Sequence, residues 1–362
     1  MKLFILYTSY ILVFIISAEV ASFYLLKKLD QNDPINIYFD NLHQSQRLIL
    51  AGLKTPRYIA VSNLNYIPAP GYTSHGVVQH NEHGYRGDLI SLKKTQNCLR
   101  ILFLGGSTTY GMGVKYPNET YPAIVQKLLQ QNLGDSIKIE CINAGVEGCV
   151  SSDELNYYLH KFRHYKPDLV VINSGGNDAT NNESSNDFSP DYWISRPIAQ
   201  YQIDEFRGGV PKWLFRSFTF SYLYDRIVIK DNIGFLRTKD TSSFSNWYQH
   251  DQDNLVVSPF ELNLSTLVST CIYDSAKVLL VPFLINKHSE YAKQDKRYVS
   301  QVEINNIVMS KMAKQSSSVF YLPMNVSDFY PFFIDDCHLT ANDEQLKANL
   351  VANKILSIYN HP

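Results

Sequence analysis

The sequence predicts an α/β protein with a three-layer, flavodoxin-like parallel sheet, an N-terminal transmembrane helix and an aromatic-rich insertion. Two observations predict the sheet. Its strands are continuous apolar runs, as in 100–104 and 168–173, and segments with helical spacing separate them. Such runs are typical of parallel sheets covered by helices on both faces. Glycine-rich and polar clusters also follow these runs, and ligands of parallel sheets bind beyond the carboxyl ends of the strands.

The predicted elements follow one another in the order of a parallel α/β domain. Each strand is an apolar run, and each helix has apolar residues at three- and four-residue spacing. Ser152 or Asp153 is suited to cap the second helix, because its side chain accepts from N–H groups of the first turn. The predicted strands are 100–104, 137–143, 168–173, 277–284 and 319–323. The predicted helices are 119–131, 152 or 153 to about 165, and 341–359.

An insertion covering about residues 180–260 interrupts this alternation. Between Phe188 and Tyr248, 15 of 61 residues are aromatic, including all three tryptophans of the chain. A structureless loop of this length is uncommon in a compact domain, so we expect short helices within it. It is interpreted either as a lid or substrate wall, or as a packing subdomain with its own small core.

The N-terminal segment is long and apolar enough to cross a membrane. Leu3 to Leu26 is 24 residues long, and Glu19 is its one charged residue. At 1.5 Å per residue, about 20 residues cross the ~30 Å hydrocarbon core of a bilayer. The sequence favours an uncleaved signal-anchor over 1–28, with the body of the protein outside the cytoplasm, periplasmic or extracellular. A cleaved signal peptide, with 16–18 as the cleavage motif and a secreted product, is the first alternative. A buried N-terminal helix is the second.

The rest of the chain is predicted to form an N-terminal extension over 29–97, packed on a main domain over 98–362. Because 33 basic side chains balance 34 acidic ones, composition argues against a nucleic-acid-binding protein. Five cysteines are too few and too irregularly spaced for a disulfide scaffold or a zinc ribbon. Cys141 and Cys149 are candidates for a disulfide in an oxidising compartment, but the sequence does not assign their pairing.

Four polar clusters carry the chemistry of the predicted site. They are Gly105-Gly106-Ser107-Thr108, Asn143-Ala144-Gly145, Gly175-Gly176-Asn177-Asp178 and Asp335-Asp336-Cys337-His338. Taken together and in this order, over about 99–358, they resemble the SGNH/GDSL hydrolase superfamily. Gly106 stands where the Gly-Asp-Ser signature of that family has an aspartate. Upstream, Asn81-x-x-Gly84-Tyr85-Arg86-Gly87 is similar to an element that precedes the catalytic domain in some bacterial members.

The resemblance implies a role for five residues. Ser107 would be the nucleophile, His338 the base that takes its proton, and Asp335 the acid that orients and stabilises the imidazole. The backbone N–H groups of Ser107 and Gly145 and the side-chain amide of Asn177 would form the oxyanion hole. Glycine at position 145 would avoid crowding of the acyl group.

Each of these residues also has an ordinary structural interpretation. Ser107 alone is typical of a helix cap, and Asn177-Asp178 of a simple turn. Asp336 is the alternative to Asp335 as the orienting acid. Both aspartates are also placed to cap the final helix.

Other possible ligand groups are weaker. His160 and His164 are spaced to touch one metal ion on a predicted helix, but the sequence shows no third ligand near them, so a solvated helix face is favoured. The same interpretation applies to His80 and His83. Cys337 is predicted to be a small buried side chain whose thiol is open to oxidation or alkylation.

The sequence as a whole therefore predicts a membrane-anchored serine esterase that forms an acyl-enzyme and needs neither metal nor organic cofactor. Its expected substrate is a small-molecule or glycan ester, with O-acyl groups on envelope or extracellular carbohydrate preferred. The alternatives are an O-acyltransferase with the same site, a lipid or lysophospholipid esterase, and a non-catalytic carbohydrate-binding envelope protein. The membrane is the expected partner through the N-terminal helix, nucleic acid is not, and the oligomeric state is left open.

Overall fold

The structure is a computed structural model that describes residues 2–31, 57–61, 64–74, 76–183, 210–224, 227, 258–329 and 333–360. The chain divides into two compact units. One consists of 1–59 and 197–243, and the other of 60–196 and 244–362. The predicted boundaries at 28 and 97 stay predictions.

Four short strands lie in the N-terminal extension, and five longer ones form the main sheet. The short strands are β1 (Tyr58–Val61), β2 (Asn65–Pro68), β3 (Thr73–Ser74) and β4 (Val77–Val78). The sheet strands are β5 (Cys98–Gly105), β6 (Lys138–Asn143), β7 (Leu169–Asn173), β8 (Lys277–Leu280) and β9 (Val319–Tyr321).

The main sheet is parallel throughout, which confirms the predicted fold class. Its strands lie in the order β6-β5-β7-β8-β9. Strand β5 pairs with β6 on one side and with β7 on the other, so the chain reverses its direction of winding between β5 and β7. Ligands of open parallel sheets bind at such a reversal, beyond the carboxyl ends of the strands.

Ten helices occur among the described residues. They are α1 (Lys2–Gln31), α2 (Ser107–Tyr110), α3 (Tyr121–Leu133), α4 (Ser151–His160), α5 (Gly176–Glu183), α6 (Phe218–Tyr224), α7 (Pro259–Tyr273), α8 (Glu290–Gln294), α9 (Lys296–Met312) and α10 (Ala341–Asn360). Single 3₁₀ turns occupy Pro117–Glu119, Phe162–Tyr165, Lys212–Arg216 and Val326–Phe329.

The core lies on both faces of the sheet because strand residues of both orientations are buried. On one face, Ile101 and Phe103 belong to a cluster completed by Val125 of α3 and Val351 of α10. The residues that alternate with them, such as Leu102, are equally buried. Continuous apolar strands are therefore required here, since an alternating strand would bury polar groups on one face.

The first unit contains α1, the 3₁₀ turn Lys212–Arg216 and α6. Within α1, Ile5–Leu26 is long and apolar enough to cross a membrane, as a transmembrane anchor or a signal sequence. The predicted insertion falls largely outside the described residues. Its described part is 180–183, 210–224, 227 and 258–260, and the two short helical segments just named lie within 210–224.

Candidate active site

The sharp turn after β5 places Ser107 at the start of α2. Gly105 has φ +155°, a backbone conformation that residues with a side chain rarely adopt. A Cβ at this position would also overlap the Thr109 side chain and the Asn173 carbonyl oxygen. Glycine before the serine therefore lets the chain turn from strand to helix while the serine stays at the carboxyl edge of the sheet.

Ser107, His338 and Asp335 form one hydrogen-bonded chain. The Oγ of Ser107 lies 2.7 Å from Nε2 of His338, and Nδ1 of His338 lies 2.6 Å from Oδ2 of Asp335. The other carboxylate oxygen of Asp335 accepts from the backbone N–H groups of Cys337, at 2.9 Å, and of His338, at 2.8 Å. The carboxylate is thus fixed by its own loop before it contacts the imidazole, as an orienting acid needs to be.

Burial and pairing act in opposite directions on this acid and base. Burial works to raise the pKa of Asp335, but the hydrogen bond from His338 and the two backbone N–H groups bring that pKa below its usual value. Burial works to lower the pKa of His338, but the hydrogen bond and charge of Asp335 raise that pKa above its usual value. The pair therefore favours an ionised aspartate and a basic imidazole.

Asp336, the alternative orienting acid, occupies a different place. Its backbone carbonyl accepts from the N–H of Asn286 at 2.7 Å. Burial, followed by the charge of Asp335, raises the pKa of its carboxyl group. The carboxylate that contacts the His338 ring at hydrogen-bond distance is that of Asp335.

The predicted oxyanion donors converge on α2. A Cβ added to Gly106 would lie 2.7 Å from Nδ2 of Asn177, so the amide of Asn177 lies directly beside the nucleophile turn. That amide donates to the carbonyl of Cys149 at 2.7 Å. The N–H of Gly145 donates to Oδ1 of Asn143 at 3.1 Å. Because a backbone amide has one hydrogen, Gly145 must share or release this bond to serve an oxyanion.

Packing against α2, and not the avoidance of crowding by the acyl group, explains the glycine at position 145. A Cβ there would lie 2.6 Å from the carbonyl carbon of Thr109 and 2.8 Å from Cα of Tyr110. The backbone of α2 therefore occupies the space that a side chain would need. Close packing of this loop on α2 accounts for the glycine without any contribution from the acyl group.

A buried carboxylate to which the sequence assigned no role in the reaction holds the Asn177 loop. Oδ1 of Asp178, a fully buried side chain, accepts from the Ser151 hydroxyl at 2.5 Å, and Oδ2 accepts from the Ser151 N–H at 3.1 Å. Ser151 begins α4, where a negative charge is favourable because free N–H groups point outward. Asn177 and Asp178 thus attach the start of α5 to the loop that leads into α4.

Arg86, from the motif upstream of the sheet, fixes the end of α2. Its side chain is buried, and Nη1 donates to the carbonyls of Tyr110, at 3.0 Å, and Gly111, at 2.6 Å. Its Nη2 donates to the carbonyls of Val114, at 2.8 Å, and Lys115, at 3.3 Å. A fork of several donors on one rigid plane suits such a cluster of carbonyls.

A second buried cation lies under the nucleophile turn. Lys347 of α10 donates to Oδ1 of Asn173 at 2.7 Å, and the same oxygen accepts from Thr108, the neighbour of Ser107, at 3.1 Å. Burial lowers the pKa of Lys347 below its usual value, against the charge of Glu344. Burial also raises the pKa of Glu344 above its usual value, against the charge of Lys347.

Asp335, Cys337 and His338 are the group of described residues whose side-chain atoms lie close enough to hold a metal ion, within 4.8 Å of one another. Both ring nitrogens of His338 are already at hydrogen-bond distance from Ser107 and Asp335. The arrangement therefore fits an acid–base chain better than a ligand set.

The solvent exposure predicted for His80 is wrong. The side chain is fully buried, with one ring nitrogen 3.0 Å from the Ala69 carbonyl and the other 2.9 Å from the Tyr110 hydroxyl. The sequence missed this because its partners come from two distant segments. His160 and His164 are exposed, as predicted.

The five cysteines are free thiols. The pair considered from the sequence, Cys141 and Cys149, is therefore not bridged in this structure. Cys337 is buried beside His338, with Sγ 3.7 Å from Nδ1. Burial raises its thiol pKa well above the usual value, and the nearby carboxylates of Asp336 and Asp335 add to the effect.

A parallel α/β sheet with a serine, a histidine and an aspartate linked at its carboxyl edge is typical of hydrolases that use a serine nucleophile. Comparison with family models gives the family within that class. The GDSL-like lipase/acylhydrolase family matches residues 103–345, about two thirds of the chain, and the protein belongs to that family. Comparison with curated proteins gives no match.

Comparison with solved structures also gives matches. TesA shares 16% identity over 72% of this chain and 99% of its own, with a TM-score of 0.43. A GDSL-like lipase from Bacteroides thetaiotaomicron shares 12% identity over 75% of this chain and 93% of its own, with a TM-score of 0.40. A catalytic mutant of Axe2, an acetylxylan esterase from Geobacillus stearothermophilus, shares 14% identity over 72% and 93%, with a TM-score of 0.42.

Proposed function

We propose that the protein hydrolyses carboxylic esters through an acyl-enzyme on Ser107. The observation that carries this proposal is the continuous chain from Ser107 Oγ to His338, at 2.7 Å, and from His338 to Asp335, at 2.6 Å. A serine hydroxyl is a weak nucleophile near neutral pH and needs a base within hydrogen-bond reach.

The reaction divides into two steps. In the first, Ser107 attacks the ester carbonyl while His338 takes its proton, and the tetrahedral oxyanion is held by the N–H groups of Ser107 and Gly145 and by the Asn177 amide. His338 then protonates the leaving alcohol, which leaves an acyl-serine. In the second step His338 takes a proton from water, which attacks the acyl group. His338 then gives that proton to the Oγ of Ser107 as the acid leaves, which restores the free enzyme. Loss of one oxyanion donor costs about 10²–10³ in kcat.

A fluorophosphonate probe tests the assignment of the nucleophile. The full chain is expected to be labelled, and Ser107→Ala is expected to lose the label. Ser136→Ala, at an exposed serine, is the matched control and should label like the native protein. Equal labelling of native protein and Ser107→Ala contradicts the proposal and places the reactive nucleophile elsewhere. An unlabelled native protein also contradicts it and favours a non-catalytic binding protein.

For the substrate we propose O-acyl groups on envelope or extracellular carbohydrate. Two features support this choice: an N-terminal helix of membrane-spanning length, and the tryptophan- and tyrosine-rich sequence of the insertion. The proposed location is a single-pass anchor with the catalytic unit outside the cytoplasm. Aromatic faces with a polar edge suit wet surfaces such as those of sugars.

A substrate screen tests this choice. We expect acetylated saccharides and short p-nitrophenyl esters to be cleaved faster than long-chain esters or lysophospholipids. Free acetate should appear in equal amount with or without an added saccharide acceptor. Transfer of the acetyl group onto that acceptor would identify an acyltransferase, and a preference for long chains would identify a lipid esterase.

A further inference from the structure

An acidic residue interrupts the apolar helix α1. Glu19 lies within Ile5–Leu26, the part of the helix that has the length and composition to cross a membrane. Ionisable residues in such segments are rare and are almost always paired with a specific partner. The partner of Glu19 therefore shows which other segment the helix α1 holds.

The carboxylate of Glu19 caps α6. It accepts from the N–H of Phe218 at 2.7 Å and of Thr219 at 3.4 Å, and from the hydroxyl of Ser217. These are groups at the helix start that have no acceptor within the helix itself. Ser217 in turn accepts from the N–H of Phe220 at 3.0 Å. The acidic side chain thus satisfies the start of α6 directly and through one hydroxyl.

The next turns of α1 continue this contact. The ring of Phe23 lies 5.2 Å from that of Phe218, and Leu26 is fully buried against Phe218 and Tyr222. The hydroxyl of Ser22 lies 3.3 Å from that of Thr219. One face of the last two turns of the apolar segment therefore packs on α6.

The segment held in this way exposes large apolar side chains. Trp213 is 66% exposed, Leu223 48% and Ile227 70%. Large apolar side chains are also exposed along the apolar stretch of α1, where Phe14 is 73% exposed. Tryptophan and tyrosine are enriched at membrane–water interfaces, where the ring meets the acyl chains and its polar edge meets headgroups.

The position of Glu19 along α1 gives the depth in the bilayer at which the packed segment lies. Glu19 precedes Leu26, the end of the apolar segment, by about 10 Å at 1.5 Å per residue. Helices that lie on a membrane bury their apolar faces about 5–10 Å into the boundary of headgroups and acyl chains. A segment packed on residues 19–26 lies at that level when α1 crosses the bilayer.

We propose that residues 211–224 and 227 form a second membrane contact, lying in the interface at the end of the transmembrane helix and held there by Glu19. This inference rests on the proposed membrane anchor. It assigns residues 211–224 and 227 of the aromatic insertion to the lipid bilayer, so the contribution to substrate binding proposed above falls to the rest of the insertion. The kind of surface it fits is the headgroup region of a lipid bilayer.

Fluorescence quenching in lipid nanodiscs tests the contact. The full chain with Trp193→Phe and Trp247→Phe keeps Trp213 as its single tryptophan. We expect phosphatidylcholine brominated near the headgroup to quench Trp213 more than lipid brominated near the chain ends. Emission that iodide in water quenches and brominated lipid does not, or emission that neither quenches, would overturn the proposal.

A second reporter separates the contact from the anchor. Phe14→Trp in a chain with its three native tryptophans changed to Phe places the reporter at the middle of α1, and deep bromines should quench it most. If this reporter is quenched and Trp213 is not, the anchor stands and the second contact is wrong. If neither is quenched, both are wrong.

The role of Glu19 is tested in the same single-tryptophan chain. Glu19→Ala should reduce the quenching of Trp213 by shallow bromines and speed amide hydrogen exchange at 218–220. Ser17→Ala, at an exposed position of the same helix, is the matched control and should change neither. Hydrolysis of p-nitrophenyl acetate reports that each variant is folded. Unchanged quenching and exchange in Glu19→Ala would contradict the proposed cap.

Discussion

Arg86 holds Tyr110 from two sides: its guanidinium lies 4.7 Å from the centre of the tyrosine ring and donates to the carbonyl of the same residue at 3.0 Å. Tyr110 ends the short helix that Ser107 begins. The backbone N–H of Arg86 also donates to the carbonyl of Asn143, at 3.3 Å, next to the loop that carries Gly145. A residue of the N-terminal extension therefore joins the nucleophile turn to the candidate oxyanion loop.

We predict that Arg86→Ala lowers both stability and kcat. Four carbonyls lose a charged donor, but those of Tyr110, Gly111 and Lys115 each keep a second donor. The buried carbonyl of Val114 depends on Arg86. An unsatisfied buried group costs about 1–3 kcal/mol, so the free energy of unfolding should fall by about that amount. Arg86→Lys keeps the charge but not the fork and should be intermediate. Denaturant unfolding and fluorophosphonate labelling rates, measured where each variant is fully folded, check this.

The matched control for Arg86 is Arg163→Ala. Arg163 pairs with Asp274 at 2.7 Å, but both side chains are partly exposed, 30% and 21%. Such pairs contribute about 1 kcal/mol or less. A labelling rate in folded Arg86→Ala equal to that of Arg163→Ala would show that Arg86 stabilises the fold without positioning Ser107.

We predict that Asp335→Asn is far more damaging than Asp336→Asn. The Asp335 carboxylate contacts His338 at 2.6 Å, and its loss should lower kcat by about 10⁴-fold because the imidazole loses its orientation and charge partner. Steady-state hydrolysis of p-nitrophenyl acetate measures both variants, and circular dichroism checks their folding. A larger loss in Asp336→Asn would assign the orienting role to that residue instead.

We predict that activity falls as the pH drops, with a midpoint above the usual pKa of a histidine. His338 acts as a base when neutral, and pairing with Asp335, against the effect of burial, raises its pKa. The acidic inflection of kcat/KM should therefore lie above about pH 6.5. The stabilising contribution of this raised pKa is present below the unfolded-state pKa and is lost as pH rises through the folded-state pKa. The activity profile and an NMR titration of the ring measure this, and an inflection below 6.5 would contradict it.

We predict that Gly145→Ala disturbs α2 and lowers stability. The added methyl group would lie 2.6 Å from the carbonyl carbon of Thr109, and overpacking of this kind typically costs about 1–3 kcal/mol. Gly148→Ala is the control, since its methyl meets the Tyr66 hydroxyl at 3.4 Å and the cost is that of its positive φ, about 1–2 kcal/mol. Thermal unfolding compares the two. A stable Gly145→Ala with an altered acyl-length preference would support acyl crowding instead.

The sheet and the four clusters were predictable because both depend on local sequence. Apolar runs that end in glycine and polar residues specify buried parallel strands and the turns after them, which is why Ser107 and Asn177 were placed at strand ends. The partners of Arg86 were not predictable, since its carbonyl acceptors come from a turn that follows β5. The burial of Glu344 and Lys347 was not predictable either. Three residues apart on a helix, they have the spacing of a surface ion pair, and both are buried.

The free thiols have a consequence for a protein proposed to work outside the cytoplasm. Burial, first among the causes, raises the pKa of Cys98 to about 11 and that of Cys271 to about 12. It also raises the pKa values of Cys141 and Cys337 well above the usual range. Disulfide exchange and alkylation require the thiolate, and a thiol with pKa 11 is ionised in about one molecule in 10⁴ at pH 7. These four cysteines are therefore slow to react in an oxidising compartment, and their alkylation should be slow compared with the reaction of a serine-directed reagent at Ser107.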